Sequence, residues 1–388
     1  MIKMAWRSGR AEIPLSNAPR PSIPSVFDSS YLPTARRMWH SPRMSNPSQS
    51  VGVLLLNLGT PDSPSVRDVR RYLRQFLSDP LVITIPQPLR WLLLNLVILP
   101  FRPKTSAAAY QSIWMPEGSP LLHYGRELSK EVSKKLGDGF HVELAMRYGS
   151  PSIESGLNSL LERQPSSIVV LPLFPQYATA STGSALAEVK RVLQGKQNVP
   201  PVTTIGAFPD DPRLCDAMAE IARPILEDEK PDHVIFSYHG LPEQQVRDLD
   251  TGGQHCLEKP DCCDAACPEN RNCYRAHCFA TTRALIETLG LAAENTSIVF
   301  QSRLGRTPWL DPDLVVVLPE LAARGIKRPV VLCPSFVADC LETVEEIGIR
   351  ARTQWKELGG EALYLVPCVN AEPTWVDGVA SMVRERAS

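Results

Sequence analysis

The chain has 388 residues, 43% of them hydrophobic and 21% charged, with 41 basic and 42 acidic side chains. That balance excludes a disordered, collagen-like or coiled-coil chain, and it gives no electrostatic footing for nucleic acid as a partner. At about 150 residues per domain, the length allows two cores.

Residues 1–50 stand apart, with seven basic against two acidic residues, seven prolines, ten serines and no helical or strand period. Such a segment buries too little apolar surface to offset its ordering entropy and reads as a disordered leader. Its composition suits an organellar transit peptide; the simpler reading is an extension from an upstream start, with Met44 just ahead of the first strand. From Val51 onward, apolar runs alternate with amphipathic stretches. The runs 51–58, 141–148, 167–174 and 202–208 read as strands, followed by 234–238, 297–301, 330–333 and 362–366. They are continuous in apolar character, as expected of parallel strands covered on both faces. The stretches 124–136, 214–226 and 337–358 read as amphipathic helices. This alternation predicts an α/β fold with two open parallel sheets. An echo between Ile168-Val169-Val170-Leu171-Pro172 and Val330-Val331-Leu332-Cys333-Pro334 hints at two related halves.

No apolar run reaches the roughly 18 residues that span a bilayer. The stretch 91–101, interrupted by Asn95 and flanked by Arg90, Arg102 and Lys104, reads either as a buried helix or as an apolar lip at a membrane surface. Neither phosphate-cradling glycine motif occurs, nor do the zincin and G-x-S-x-G signatures, which removes the common nucleotide and hydrolase readings.

Ligands gather at the carboxyl ends of parallel strands. There the sequence places His239 beside Gly240 and, after the run 330–333, the carboxylates Asp339, Glu342 and Glu346. At i, i+3 and i+7 these three share one helix face, with Val337, Leu341 and Val344 on another. Taken singly, the carboxylates suit a solvated face and the histidine a structural role. Together at sheet ends they suit a cleft that binds a divalent cation or moves protons.

Several segments resemble the ferrochelatase family. They are Asn57-Leu58-Gly59-Thr60-Pro61, Gly118-Ser119-Pro120-Leu121, Phe174-Pro175-Gln176-Tyr177, Ser237-Tyr238-His239-Gly240, Phe300-Gln301-Ser302-Arg303, Pro308-Trp309 and Cys340-Leu341-Glu342-Thr343, in the family's order from about residue 51 to the C-terminus. The resemblance implies two Rossmann-like class II chelatase domains, 51–210 and 211–367, with a porphyrin cleft between them and residues 368–388 packing back on the first. It implies insertion of Fe²⁺ into protoporphyrin IX, the last step of haem biosynthesis, by a cytoplasmic monomer or homodimer that can sit peripherally at the inner membrane. His239 matches the family's histidine, which abstracts protons or binds iron; Glu342 matches its partner and Glu346 an acidic position on the proton or metal path. Tyr110, Arg147, Tyr148 and Trp309 match positions around the macrocycle, with core packing as their plainer reading. Two rivals remain: a coproporphyrin or other class II chelatase, and a non-catalytic iron–sulfur redox or sensor protein on the same scaffold, against which an intact His239 and Glu342 argue.

Six of the ten cysteines (Cys256, Cys262, Cys263, Cys267, Cys273 and Cys278) fall in what looks like an insertion at 250–280. Nothing marks the chain as secreted, so disulfides are disfavoured; four thiolates suit structural zinc or a 2Fe–2S cluster. The chain lacks cysteines after Cys368 and so resembles bacterial ferrochelatases with an internal cysteine-rich segment, which favours the cluster over zinc. Adjacent Cys262 and Cys263 are expected to project apart. One of that pair is then spare, and the expected ligands are Cys256, Cys263, Cys273 and Cys278, with Cys262 and Cys267 as alternates. Cys215, Cys333, Cys340 and Cys368 read as buried hydrophobes, Cys340 alone being near enough to Glu342 to face the cleft.

Overall fold

The computed structural model describes residues 50–250, 252–305 and 307–387. The expectations for residues 1–49 lie outside the described residues. All eight apolar runs become strands, in two four-stranded parallel sheets. The first contains β1 (Val51–Thr60), β2 (Phe140–Gly149), β3 (Ser167–Pro172) and β4 (Val202–Thr204), in the order β2-β1-β3-β4. The second contains β5 (His233–His239), β6 (Thr296–Gln301), β7 (Pro329–Leu332) and β8 (Tyr364–Leu365), in the order β6-β5-β7-β8. The same winding thus occurs twice, as the sequence echo suggested. β4 and β8 are shorter than the apolar runs that predicted them: beyond each, Ile205 and Val366 donate one further bond, to the Val170 and Val331 carbonyls, before the chain turns away.

Continuous apolar character follows from burial on both faces. Leu54 and Leu56 pack with Ile153 and Leu157 on one side of the first sheet, while Val53 and Leu55 pack with Leu128 and Val132 on the other. The second sheet repeats this, with Ile235 and Val331 against Leu318 and Trp355 on its outer side. Its inner residues Val234 and Phe236 share one core with Val53 and Leu55, so the sheets are joined through a common apolar layer. The C-terminal helix Pro373–Ala387 lies in that layer with Trp375 wholly buried, tied by ion pairs Lys135–Asp377 and Arg213–Glu385, each 2.6 Å.

Two expectations are corrected. The predicted helix over 337–358 begins at Leu341 and winds as a π-helix over Leu341–Ala351 before an α-helical turn at Arg352–Glu357. Asp339 precedes it, bonded to Asn370 Nδ2 (2.8 Å) and Thr343 Oγ1 (3.0 Å), so the three carboxylates do not share a helix face. The cause is local: Cys340 is the N-cap, its N–H donating to Thr343 Oγ1 at 3.0 Å, which holds the preceding residues in a loop off the end of β7. The stretch 91–101 is not a buried helix. It forms a π-turn (Leu93–Ile98) between helices Gln87–Leu92 and Leu99–Ile113, exposing Trp91 (60%), Leu96 (62%) and Phe101 (74%) while Leu94 and Leu99 anchor it.

Candidate active site

The carboxyl ends of β1, β3, β5 and β7 open onto one cavity of about 1060 Å³, including its mouth. Its wall is largely apolar and carries no lysine or arginine among the described residues. At the end of β1 the backbone needs glycine: Gly59 has φ +122°, and a Cβ there would lie 1.8 Å from the Tyr148 carbonyl oxygen.

His239 ends β5 on this wall. Its Nδ1 lies 2.6 Å from the Gly240 carbonyl oxygen. A carbonyl can only accept, so Nδ1 carries a proton, and in the neutral ring the lone pair is on Nε2. Gly240 is packed from behind, since a Cβ would lie 2.8 Å from the Gln301 carbonyl oxygen and 3.3 Å from Trp309 Cε3.

Glu342, in the first turn of the π-helix, lines the same cavity. Burial raises its carboxyl above the usual range and nearby Glu346 raises it further, while His239 and the Cys340 thiol act in opposition. Cys340 does face the cavity, its thiol pushed well up by burial. Glu346 sits behind Glu342 and is fully partnered: Ser302 Oγ and Gln301 Nε2 donate at 2.6 and 3.1 Å, and Arg350 lies at 3.0 Å. Gln301 is the organiser, donating also to the Glu342 carbonyl (2.7 Å) and accepting from Ser237 (2.6 Å).

The four expected aromatic and cationic contacts divide. Tyr110 lines the cavity, edge-on to Tyr72 at 6.4 Å. Trp309 is 9% exposed and packs behind Gly240, its indole N–H unpaired. Arg147 and Tyr148 turn to the buried Asp79, whose Oδ2 takes bonds from Arg147 (2.6 Å), Tyr148 (2.8 Å) and Ser184 (2.6 Å). They support the cavity through Phe76, whose ring packs tilted against Tyr148 at 5.1 Å.

The cysteine segment is pinned by Asp250, whose carboxylate accepts the backbone N–H groups of Gly252, Gly253, His255 and Cys256 at 2.8–3.1 Å. The Sγ atoms of Cys262 and Cys263 stand 3.7 Å apart, not divergent as expected. That spacing matches the edge of a tetrahedron built on metal–sulfur bonds of about 2.3 Å, roughly 3.8 Å. Cys273 is near enough to the Cys256 and Cys263 thiols to shift both, and Arg275 donates to Cys263 Sγ at 3.1 Å. Cys278 is buried against Tyr274, and Cys267 lies 3.4 Å from His255 Nε2. This donor set has the chemistry of a four-thiolate site, although among the described residues no three side chains already converge on one metal position.

The ferrochelatase family model matches residues 50–387. The chain belongs to the ferrochelatase family. Ferrochelatases from Coxiella burnetii (50% identical over 87% of this chain and 94% of that protein), Pseudomonas fluorescens (46%, 86% and 97%) and Legionella pneumophila (44%, 86% and 99%) are similar to it. Among solved structures, SirB from Bacillus subtilis with Fe³⁺ shares the fold, with a TM-score of 0.51 at 13% identity over 87% of this chain and 96% of that one. Membership in the ferrochelatase family makes this chain an enzyme, a metal chelatase. Family motifs located His239 and Glu342 at the cavity, but they carried no signal for Asp79, Tyr72 or Tyr274, whose placement depends on loops that the motifs do not describe.

Proposed function

We propose that this enzyme inserts Fe²⁺ into protoporphyrin IX in the cavity, with His239 as base and Glu342 as the carboxylate that receives protons and guides the cation. The observation that carries this reading is the pairing, on one apolar wall, of an imidazole locked in the tautomer that leaves Nε2 free and a carboxyl made easy to protonate. The macrocycle loses two pyrrole N–H protons as iron enters. His239 Nε2 takes the two ring protons in turn and hands each to Glu342, which releases it to solvent, while Glu346 lies behind, bonded to Ser302 and Arg350. The wall favours protoporphyrin over coproporphyrin, because the latter carries more propionates and the cavity offers no cationic side chain for them. The exposed arm at Trp91, Leu96 and Phe101, flanked by Arg90, Arg102 and Lys104, suits docking on an anionic membrane at the cytoplasmic face, from which a greasy porphyrin enters. No helix among the described residues is long and apolar enough to cross a membrane.

Within the cysteine segment, Cys256, Cys262, Cys263 and Cys273 are the buried thiols that influence one another most directly, with Cys262 and Cys263 at 3.7 Å, and would hold a 2Fe–2S cluster, with Cys262 in place of Cys278 in the expected set. The cluster would supply a one-electron centre, with the Arg275 guanidinium offsetting thiolate charge. An anaerobic assay of Fe²⁺ with each porphyrin, preceded by an absorption spectrum and metal analysis, tests both parts. Faster insertion into protoporphyrin and iron with acid-labile sulfide are expected. A coproporphyrin preference would overturn the substrate, and zinc without iron would overturn the cluster.

A further inference from the structure

We propose that Tyr274 is a positioning residue for His239, so that the helix closing the cysteine segment forms part of the support on which the base is aimed; this rests on the reading of His239 as the base. Tyr274 directly follows Cys273, the N-cap of the helix Tyr274–Leu289, and is 5% exposed on the cavity wall. Its hydroxyl lies 2.8 Å from the His239 carbonyl oxygen and 2.9 Å from Ser335 Oγ. Because the carbonyl only accepts, the phenol donates to His239 and Ser335 donates to the phenol oxygen. On the other side of the same peptide, the Gly240 N–H donates to the Gln301 carbonyl at 2.8 Å. The His239–Gly240 peptide is therefore clamped between the helix of the cysteine segment and β6. Gly240, so fixed, presents the carbonyl oxygen that receives the imidazole Nδ1–H at 2.6 Å.

Without the phenol, the His239 carbonyl loses its partner and the peptide can rotate, which swings Nε2 away from the ring protons. A misplacement of about 1 Å costs up to about a hundredfold in rate, whereas porphyrin binding rests on the wider apolar wall and is unaffected.

The test is steady-state Fe²⁺ insertion by the full chain, with kcat and the porphyrin KM resolved separately and melting followed in parallel. Tyr274→Phe keeps the ring and is expected to lower kcat about tenfold or more at a KM within about twofold of the parent. The control is Thr282→Val, on the same helix, which removes a hydroxyl bonded to Tyr238 at 2.7 Å; it is expected to lower Tm while leaving kcat unchanged. Ser335→Ala withdraws the hydroxyl that holds the phenol oxygen, is expected to lower kcat about threefold at unchanged KM, and keeps the question decidable should Tyr274→Phe not fold. Parent kcat in Tyr274→Phe, or in Ser335→Ala if only that variant folds, overturns the proposal, as does an equal kcat loss in Thr282→Val. His239→Ala separates the two levels: if it turns over at the parent rate, the role of His239 itself fails; if it is dead while Tyr274→Phe is fully active, only the positioning fails.

Discussion

At the scale of single residues, the site works by giving chemically similar groups different surroundings. Glu342 and Glu346 lie four positions apart, yet one is desolvated and raised while the other is held by Ser302, Gln301 and Arg350. Under the proposed mechanism, such a pair sets a proton acceptor next to a hydrogen-bonded, immobile carboxyl group. Asp79 shows the opposite tuning. Burial would raise it, but bonds from Ser184, Leu81 and Tyr148 and the Arg147 charge outweigh burial and leave its carboxyl below the ordinary range. Its ionised form therefore stabilises the fold above the ordinary value of 3.8, and that contribution disappears as pH falls through the lower folded value. Asp79→Ala should lower stability by about 3 kcal/mol, since Arg147 is left half-paired in a buried site. Denaturant melts should show that gap at neutral pH and narrow it only in acid below 3.8; an equally stable variant at pH 7 would contradict this account. Sequence alone made His239 and Glu342 legible because they follow continuous apolar runs. It did not show where Arg147 and Tyr148 point: both lie on β2, and which face meets Asp79 depends on the loop after the helix Val66–Leu77.

At the scale of elements, the largest departures from expectation are both π-helical. Periodicity over 337–358 assumed an α-helix, but the chain starts later and winds wider at the segment that carries Glu342. A π-turn also shapes the arm at Leu93–Ile98, presenting Leu96 and Phe101 outward. Wide turns of this kind recur at functional sites and leave no clear mark in apolar spacing, which is why the sequence left the arm open between core and lip. The double variant Leu96→Asp, Phe101→Asp should lose most of its binding to anionic vesicles in a sedimentation assay while keeping its turnover of detergent-solubilised porphyrin. Undiminished vesicle binding would remove the membrane role of the arm.

At the scale of the whole molecule, two copies of one winding face their strand ends toward a shared cavity, and a common apolar layer holds them there. That repeat was legible as a short echo around Ile168 and Val330, since both strands bury the same side-chain pattern. In the cysteine segment the clustering of thiols and a four-thiolate donor set were legible, but not which thiols approach one another. The 3.7 Å approach of Cys262 to Cys263 arises from the loop that Asp250 pins, and neighbouring positions in a sequence do not reveal such a turn. The segment ends at the helix whose first residue reaches the His239 carbonyl, so the cysteine segment and the cavity are parts of one framework. The account centres on His239 as the base. Anaerobic Fe²⁺ insertion into protoporphyrin by parent and His239→Ala, with melting curves for both, tests this most directly. The account predicts a kcat lower by about a thousandfold or more in a variant that melts like the parent, and insertion near the parent rate by that folded variant would contradict it.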